Sequence, residues 1–275
     1  YTTLFFSIFL NRKVQKTIFI QCLEWKVISK NILLQQISKL FHFICLMGVK
    51  NFIFANKVLK EGYEKDFLIS KIFHLKFKTK IIYPVGHKVL NELPMKSDRD
   101  IDIFLILRNN WVKRYKLYID TLNYLLNKNA NFNLRIINLS SNTIPKWIYN
   151  FQNVEISGAV SHEQLFLLYQ KSKILLYLSF YEGFGLPPLE AMSQGCIPII
   201  TNNKGCTNYI NSYSDLVLQR DSIPKNIVKK IETTLGEKDY EKNIRKRNLI
   251  ESADNYYKFA EEKRKEQIRN IIKFF

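Results

Sequence analysis

The sequence is poor in cysteine, glycine and proline, and each shortage excludes a class of protein. Its 275 residues include four cysteines, without a Cys-x-x-Cys pair or histidines at zinc spacing. They are interpreted as free thiols in a reducing compartment, with a disulfide framework as the alternative. Nine glycines and seven prolines are too few for a collagen-like or linker-like chain. No apolar run approaches the roughly 18 to 20 residues of a membrane span.

Several catalytic motifs are also missing from the sequence. It has no serine nucleophile elbow, no Walker loop and no Gly-x-Gly-x-x-Gly, which counts against hydrolase, NTPase and dehydrogenase functions. Hydrophobic residues make up 47% and charged residues 24%, which is typical of a globular protein. The length predicts about two domains. Because the first residue is Tyr1 and no signal-peptide pattern follows, the chain is predicted to begin inside a domain, with a processed chain as the alternative.

Positive charge is in large excess and is unevenly distributed. The formal net charge is +18, and residues 1–90 hold 15 basic and 4 acidic groups. A basic domain attracts anionic lipid, nucleic acid or phosphorylated substrates. The basic residues are scattered and form no dense run, so a compositional bias of the chain stays open as an alternative. A nucleic-acid binder, which only the net charge supports, is the weakest interpretation.

Strands alternate with helices twice along the chain, which favours parallel α/β sheets. The first series has strands at 17–23, 51–55 and 80–84 and helices at 27–48 and 56–71. After a polar segment at 85–100, the second series has strands at 101–107, 132–139, 154–157, 174–178 and 196–200 and helices at 113–127, 161–171 and 187–194. Ser161 and Gln164 form a capping-box pattern at the start of one helix. Three further helices are predicted at 223–235, 239–251 and 254–273.

One loop carries most of the chemical information: Tyr181 to Met192, with the sequence YEGFGLPPLEAM. It follows a buried strand and opens a helix, where parallel sheets bind ligands and where helix N–H groups and dipole favour phosphate. Gly183 and Gly185 permit close backbone approach. Glu182 is predicted in the loop and Glu190 in the first helical turn. A carboxylate there can accept hydrogen bonds from a vicinal diol such as ribose, although a glutamate in the first turn of a helix is also explained by stabilisation of the helix dipole.

This string resembles the E-x7-E signature of retaining glycosyltransferases of the GT-B fold (glycosyltransferase family 4, "glycosyl transferases group 1"). Segments 157–179 and 191–210 are similar to the family's sequence on either side of it. Arg108 and Lys113 match the family's Arg-x4-Lys pair after a strand. The resemblance covers residues 101–220 well and 17–90 weakly.

The resemblance implies an α/β protein of GT-B fold with two Rossmann-like parallel-sheet domains, the first incomplete because of N-terminal truncation. The expected domains are an acceptor-side domain at 1–90, a linker at 91–100, a nucleotide-sugar domain at 101–252 and a helix at 253–275 that packs back towards the first domain. By the same resemblance, Arg108 and Lys113 would neutralise the leaving diphosphate.

The resemblance also gives roles to the loop. Glu190 would bind the ribose and Glu182 the donor-sugar hydroxyls. The backbone of the segment Gly183, Phe184, Gly185 and Leu186 would meet the diphosphate and sugar. No metal and no cofactor would be needed, because fixed cations stabilise the departing diphosphate.

The sequence departs from the family pattern at several positions. The family's Lys-Gly is here Lys113-Arg114, and Arg114 is expected either to add a cation or to point to solvent. Asn208 stands where the family has a glutamate, and Leu139-Ser140-Ser141 where it often has Gly-x-Gly. The family's histidine after the first strand is lacking, and Glu24 is a weak candidate in its place. The Asp-x-Asp pattern at 98–102 is interpreted as a charged strand start and not as a metal site.

The expected function is therefore a metal-independent hexosyltransferase. It would move a sugar with retention from a nucleotide-diphosphate-sugar donor to a glycan or lipid-linked acceptor, in cell-surface polysaccharide or lipopolysaccharide synthesis. The alternative is an inactive fragment or degenerate copy that binds nucleotide or anionic partners without turnover. The expected location is cytoplasmic, with peripheral contact to an anionic membrane surface suggested by the basic and aromatic residues, and with no nucleic-acid partner.

Overall fold

The computed structural model describes residues 17–21, 23, 26, 29–46, 49, 51–66, 78–84, 99–128, 131–139 and 144–272. The chain divides into two units, Tyr1–Pro84 with Ala260–Phe275 and Val85–Phe259. In the described part of the chain, no helix combines the length and apolar character that crossing a membrane requires. Most of the predicted linker at 91–100 lies outside the described residues, as do Glu24 and the Leu139-Ser140-Ser141 segment beyond Leu139, so the predictions made for them stay predictions.

The first unit contains a three-stranded parallel sheet in the order β1-β2-β3. Its elements are β1 (Thr17–Ile20), α1 (Ile32–Leu46), β2 (Asn51–Phe54), α2 (Lys57–Asp66) and β3 (Lys78–Ile81). Each strand is followed by a helix or by the connection to the next unit, as the alternation in the sequence predicts.

Among the residues described in the first unit, three aromatic side chains pack together in the core. Phe52 and Phe54 of the central strand are buried against Tyr63 of α2, with ring centroids 5.5 and 5.2 Å from the tyrosine. Leu59, one turn earlier on α2, is also buried. The burial of residues spaced four apart explains why this short, charged helix forms, because most of its stability comes from one packed face.

The second unit is built on a six-stranded parallel sheet in the order β6-β5-β4-β7-β8-β9. Its strands are β4 (Ile101–Leu107), β5 (Leu134–Asn138), β6 (Val154–Ser157), β7 (Ser172–Tyr177), β8 (Ile197–Thr201) and β9 (Val217–Leu218). Its helices are α3 (Tyr115–Lys128), α4 (His162–Lys171), α5 (Leu186–Ser193), α6 (Thr207–Ile210), α7 (Pro224–Leu235) and the part of α8 (Asp239–Ile272) that ends at Phe259. The chain winds outwards from β4 in one direction and then from β7 in the other, as in a doubly wound fold.

Alternate residues of the central strands face two separate cores. Ile103, Leu105 and Leu107 pack on one face of the sheet with buried residues of α3 and α7. Phe104 packs on the other face with buried residues of α4, α5 and α8. Because successive strand residues point to opposite faces, a central strand covered on both sides must be apolar throughout, and β4 (IDIFLIL) is nearly so.

The structure corrects the prediction for the C-terminal helices. The sequence pattern indicated two helices, at 239–251 and 254–273, but one helix, Asp239–Ile272, runs through both. Ser252 and Ala253, at the expected break, are neither glycine nor proline, and Ala253 is fully buried. Ion pairs at helical spacing continue past this point, with Lys258 Nζ 2.6 Å from an Asp254 oxygen.

Candidate active site

The candidate site lies where the winding of the second sheet reverses. β4 and β7 are parallel neighbours, with Leu105 opposite Leu176. Their carboxyl ends therefore meet at the same edge of the sheet, and the loops that leave them go to opposite faces. This is the switch point at which open α/β sheets bind ligands. The loop after β4 carries Arg108 and Lys113, and the loop after β7 carries Glu182.

A short helical turn positions Lys113. The 3-10 turn Trp111–Lys113 is capped by Asn110, whose side-chain oxygen accepts a 2.8 Å hydrogen bond from the Lys113 amide. Val112 is buried in the turn, and its carbonyl accepts a 2.7 Å hydrogen bond from the Phe180 amide in the loop after β7. The two loops are thus joined by a backbone hydrogen bond.

Lys113, Glu182 and Tyr177 form a close cluster. Lys113 Nζ forms an ion pair with Glu182 Oε1, and the Tyr177 hydroxyl donates a 2.7 Å hydrogen bond to the same oxygen. Lys113 Nζ also donates to the Tyr177 oxygen at 3.3 Å. Only 20% of the lysine side chain and 12% of the glutamate side chain are exposed. Burial, reinforced by the charge of Glu182, raises the pKa of Tyr177, so this phenol stays protonated and donates.

The loop after β8 holds the backbone of Glu182 by a hydrogen bond. The Glu182 amide donates a 3.0 Å hydrogen bond to the carbonyl of buried Asn203, which also accepts from the Gly205 amide at 2.9 Å. A Cβ at Gly205 would lie 2.7 Å from the Glu182 carbonyl oxygen. Only glycine fits there without displacing Glu182. The thiol of the neighbouring Cys206 is buried, and burial raises its pKa to about 12.

Gly185 has a backbone conformation that favours glycine and is closely surrounded. Its φ is 81°, and a Cβ on it would overlap the Cys206 sulfur. The Tyr209 hydroxyl donates to its carbonyl oxygen. Phe184 is buried, with its ring centroid 5.4 Å from that of Tyr209 and also from that of Tyr256. The side chain of Phe184 is therefore part of the core, and only its backbone is available to a ligand.

The two prolines reduce the number of backbone N–H groups that could bind an anion at the start of α5. The helix begins with Leu186, Pro187 and Pro188. Proline has no N–H, so Leu186 is the one residue of these three that can offer a backbone donor. The predicted loop of Gly183, Phe184, Gly185 and Leu186 does precede and open the helix as the sequence indicated.

Glu190 lies in the second turn of α5, and the expectation that it lies in the first turn is wrong. It is 5% exposed, and its Oε2 accepts a 3.3 Å hydrogen bond from the Tyr169 hydroxyl of α4. Burial and the charge of Glu190 raise the pKa of Tyr169, and the same two causes raise the pKa of Tyr257 on α8. Stabilisation of the helix dipole does not explain Glu190 at this position, because dipole effects are confined to the first turn.

Two arginines near Lys113 behave differently from each other. Arg108 is exposed after β4, and among the described residues its side chain makes no hydrogen bond or ion pair. Arg114 does not point freely to solvent, so that expectation is wrong, while the alternative that it adds a cation to the site stays a prediction. Its φ of 55° is left-handed, and its Nη1 donates a 2.6 Å hydrogen bond to the Arg220 carbonyl. The backbone thus has the conformation that the glycine of the family's Lys-Gly would adopt most readily.

The described part of the Asp-x-Asp segment, residues 99–102, lies at the opposite edge of the sheet. Asp102 is at the amino end of β4, where it accepts a 2.9 Å hydrogen bond from the Asn133 amide and pairs with Lys173 Nζ at 2.7 Å. Arg99 donates to the carbonyls of Tyr169 and Gln194 at 3.0 and 2.6 Å. These contacts tie the start of β4 to its neighbours, in agreement with the interpretation as a charged strand start.

Sequence reasoning missed Tyr177, Asn203 and Gly205. Tyr177 carried one signal, because it places a hydroxyl at the end of an otherwise apolar strand five residues before Glu182. Asn203 and Gly205 gave no usable signal, since their importance depends on the approach of a loop about twenty residues away in sequence. The side chain of Asn208, the departure noted in that loop, lies outside the description.

Residues 94–250, more than half of the chain, match the family described as "Glycosyl transferases group 1". The chain belongs to this family, as its motifs predicted. Over 46 residues it is 52% identical to O-antigen chain mannosyltransferase B of Escherichia coli. Over 49 residues it is 45% identical to GDP-mannose:cellobiosyl-diphosphopolyprenol alpha-mannosyltransferase of Xanthomonas oryzae pv. oryzae. The matched segments span 17 and 18% of this chain and only 12 and 13% of those relatives.

Solved structures share the fold. Sucrose-phosphate synthase from Thermosynechococcus elongatus superposes with a TM-score of 0.71 at 16% identity, over 95% of this chain and 69% of the other. A trehalose-6-phosphate synthase gives 0.69 at 12% identity, over 95% and 70%. The pneumococcal O-GlcNAc transferase, solved with UDP and GlcNAc, gives 0.63 at 17%, over 84% and 47%. The predicted GT-B fold, with parallel α/β sheets and C-terminal helices, is confirmed.

Proposed function

We propose that this chain is the donor-binding part of a hexosyltransferase that transfers a sugar, with retention, from a nucleotide-diphosphate-sugar donor to an acceptor hydroxyl. The observation that carries the proposal is the pairing of Lys113 with Glu182 at the switch point of the second sheet. A cation and a carboxylate at this place suit two neighbouring parts of such a donor, the diphosphate and the sugar hydroxyls.

The proposed step needs charge stabilisation more than a protein nucleophile. The bond between the sugar C1 and the diphosphate oxygen breaks, and a bond from C1 to the acceptor oxygen forms on the same face. The acceptor proton goes to the departing phosphate. Lys113, with Arg108 as the second cation, stabilises the negative charge that builds on the diphosphate. A metal ion is not required for this neutralisation.

Glu182 and Glu190 have separate roles in the proposal. Glu182, held at the carboxyl edge of the sheet, accepts hydrogen bonds from hydroxyls of the donor sugar. Glu190 accepts from the ribose, and its hydrogen bond to Tyr169 orients the carboxylate. The backbone from Gly183 to Leu186 contacts the diphosphate. The burial of Glu190 supports this assignment, because a carboxylate in a nearly dry site makes strong hydrogen bonds.

The named relatives suggest the substrates to test. Both are mannosyltransferases by name, and one name specifies GDP-mannose and a diphosphopolyprenol-linked acceptor. We therefore propose GDP-mannose as the first donor and a lipid-linked glycan of a cell-surface polysaccharide as the acceptor. Such an acceptor lies at a membrane, and peripheral contact with its cytoplasmic, anionic face is part of the proposal. No nucleic-acid partner is proposed.

Nucleotide binding tests the site assignment. Calorimetry with GDP and UDP compares the wild type with Glu190→Gln, and with Glu163→Gln as an exposed control of the same chemical change. Loss of one charge-assisted hydrogen bond should weaken binding by Glu190→Gln about tenfold. Glu163→Gln should bind as the wild type does. Unchanged binding by Glu190→Gln would move the ribose to another residue.

Turnover separates the enzyme from its alternative. Release of GDP from GDP-mannose in the presence of a polyprenyl-diphosphate glycan supports the transferase. Tight nucleotide binding without turnover of any donor supports the alternative, a degenerate copy that binds without catalysis. Failure to bind either nucleotide would contradict the proposal as a whole.

A further inference from the structure

Tyr177 has a buried hydroxyl for which the proposed reaction has no role so far. It is the last residue of β7, it is 6% exposed, and its ring belongs to the core on one face of the sheet. A buried hydroxyl needs a hydrogen-bond partner to offset its desolvation. Its partner is the carboxylate of Glu182, which stands five residues further on in the loop.

The hydrogen bonds to Glu182 are asymmetric. Lys113 and Tyr177 both donate to Oε1, and within the described residues no hydrogen bond reaches Oε2. Two donors fix the carboxylate plane, while the other oxygen keeps its capacity to accept. A hydroxyl of a bound sugar could use Oε2 without displacing either donor.

The two hydrogen-bond donors, Lys113 and Tyr177, would respond differently to a bound nucleotide sugar. Lys113 is a cation, and a diphosphate placed beside it would compete with Glu182 for its ammonium group. Tyr177 is neutral, and its pKa is raised by burial and by Glu182, so it neither attracts the diphosphate nor loses its proton. If Lys113 moves towards the diphosphate, the hydrogen bond from Tyr177 remains on Oε1.

We propose that Tyr177 is a positioning residue that holds Glu182 Oε1, so that Oε2 is kept in place for a hydroxyl of the donor sugar while Lys113 turns to the diphosphate. This inference rests on the proposed function. Tyr177 itself touches neither sugar nor phosphate. Its contribution should therefore appear in the binding of the sugar part of the donor and not in the binding of the nucleotide part.

Calorimetry with paired ligands tests this inference on the full chain. GDP and GDP-mannose are one pair and UDP and UDP-glucose the other, and the pair that the wild type binds is used. Tyr177→Phe keeps the ring and removes the hydroxyl. Tyr118→Phe is the matched control, because its hydroxyl is equally buried but bonds to backbone, accepting from the Leu178 amide at 2.7 Å.

Tyr177→Phe should weaken binding of the nucleotide sugar about five- to tenfold, the size of one ordinary hydrogen bond, and change nucleotide binding less than about twofold. Tyr118→Phe should change the ratio of the two affinities by less than about twofold. The effect of Tyr177→Phe should disappear in a Glu182→Gln background, because the hydroxyl acts through that carboxylate.

Three results would overturn the inference. Equal losses of affinity for nucleotide and nucleotide sugar would mean a packing role, and wild-type affinity for both ligands would mean no role. If Tyr177→Phe fails to fold, Glu182→Gln is measured alone. This variant must weaken binding of the nucleotide sugar more than binding of the nucleotide, and equal weakening of the two would also overturn the inference. Absence of any nucleotide binding by the wild type would instead refute the proposed function, so the two failures are distinguishable.

Discussion

Gly185→Ala is the substitution whose effect follows most directly from the geometry of the loop. The residue has a φ of 81°, and left-handed backbone costs a residue with a side chain about 1 to 2 kcal/mol. The new Cβ would also overlap the Cys206 sulfur and come within 3.4 Å of the Tyr209 hydroxyl oxygen. Overpacking of a buried position typically costs about 1 to 3 kcal/mol. Together, Gly185→Ala should lower the free energy of unfolding by about 2 to 5 kcal/mol.

Urea unfolding followed by tryptophan fluorescence measures this change, since Trp111 lies in the same unit with its ring centroid 5.4 Å from that of Phe180. Gly158→Ala is the control, because a Cβ there meets nothing within 4 Å, and it should stay within about 0.5 kcal/mol of the wild type. Adding Cys206→Ala to Gly185→Ala should recover the steric part but not the backbone part. Equal stabilities for Gly185→Ala and Gly158→Ala would refute the reasoning.

Two further predictions concern charge. Lys113→Met should weaken GDP or UDP binding about ten- to a hundredfold in calorimetry. Lys173→Met, the same change at the opposite edge of the sheet, should leave nucleotide binding unchanged. Equal losses of affinity in the two variants would show a general charge effect. His42 is buried beside Tyr63, and burial lowers its pKa to about 4. Because the unfolded chain then binds a proton that the folded chain does not, stability should fall as pH drops from about 6.5 to about 4. His42→Leu should reduce this slope in urea titrations followed by circular dichroism, and an unchanged slope would contradict the assignment.

The elements that sequence predicted best have local causes. The helix at 161–171 was predicted with its cap, and Ser161 and Gln164 make both hydrogen bonds of the capping box. The end of α5 near Gln194 and its start at two prolines were also predicted from single residues. The central strands β4, β7 and β8 of the second sheet followed from their apolar runs, which such strands need because both faces of the sheet are covered. In each case the sequence signal lies within a few residues.

The details that sequence did not predict depend on distant segments. The cluster at Glu182 needs Lys113 from one loop and Asn203 from another, and neither spacing nor composition gives their approach. Glu190 was placed in the first turn because the helix was predicted to begin at Pro187, one residue after its actual start at Leu186. Its burial beside α4 is a tertiary property that sequence does not give. The short strand Val217–Leu218 was missed because two residues make no pattern. The E-x7-E string identified the site, but its hydrogen bonds required the fold.

Arg114 shows how a departure from a family pattern can be checked by stability alone. It has a left-handed backbone where the family has glycine, and its side chain bonds to the Arg220 carbonyl. Arg114→Ala loses this hydrogen bond and keeps the backbone cost, whereas Arg114→Gly loses the bond and removes the cost. The glycine variant should therefore be more stable than the alanine variant by about 1 kcal/mol, the reverse of their usual order. If alanine is the more stable in urea unfolding, the left-handed turn after Lys113 is not what holds this loop.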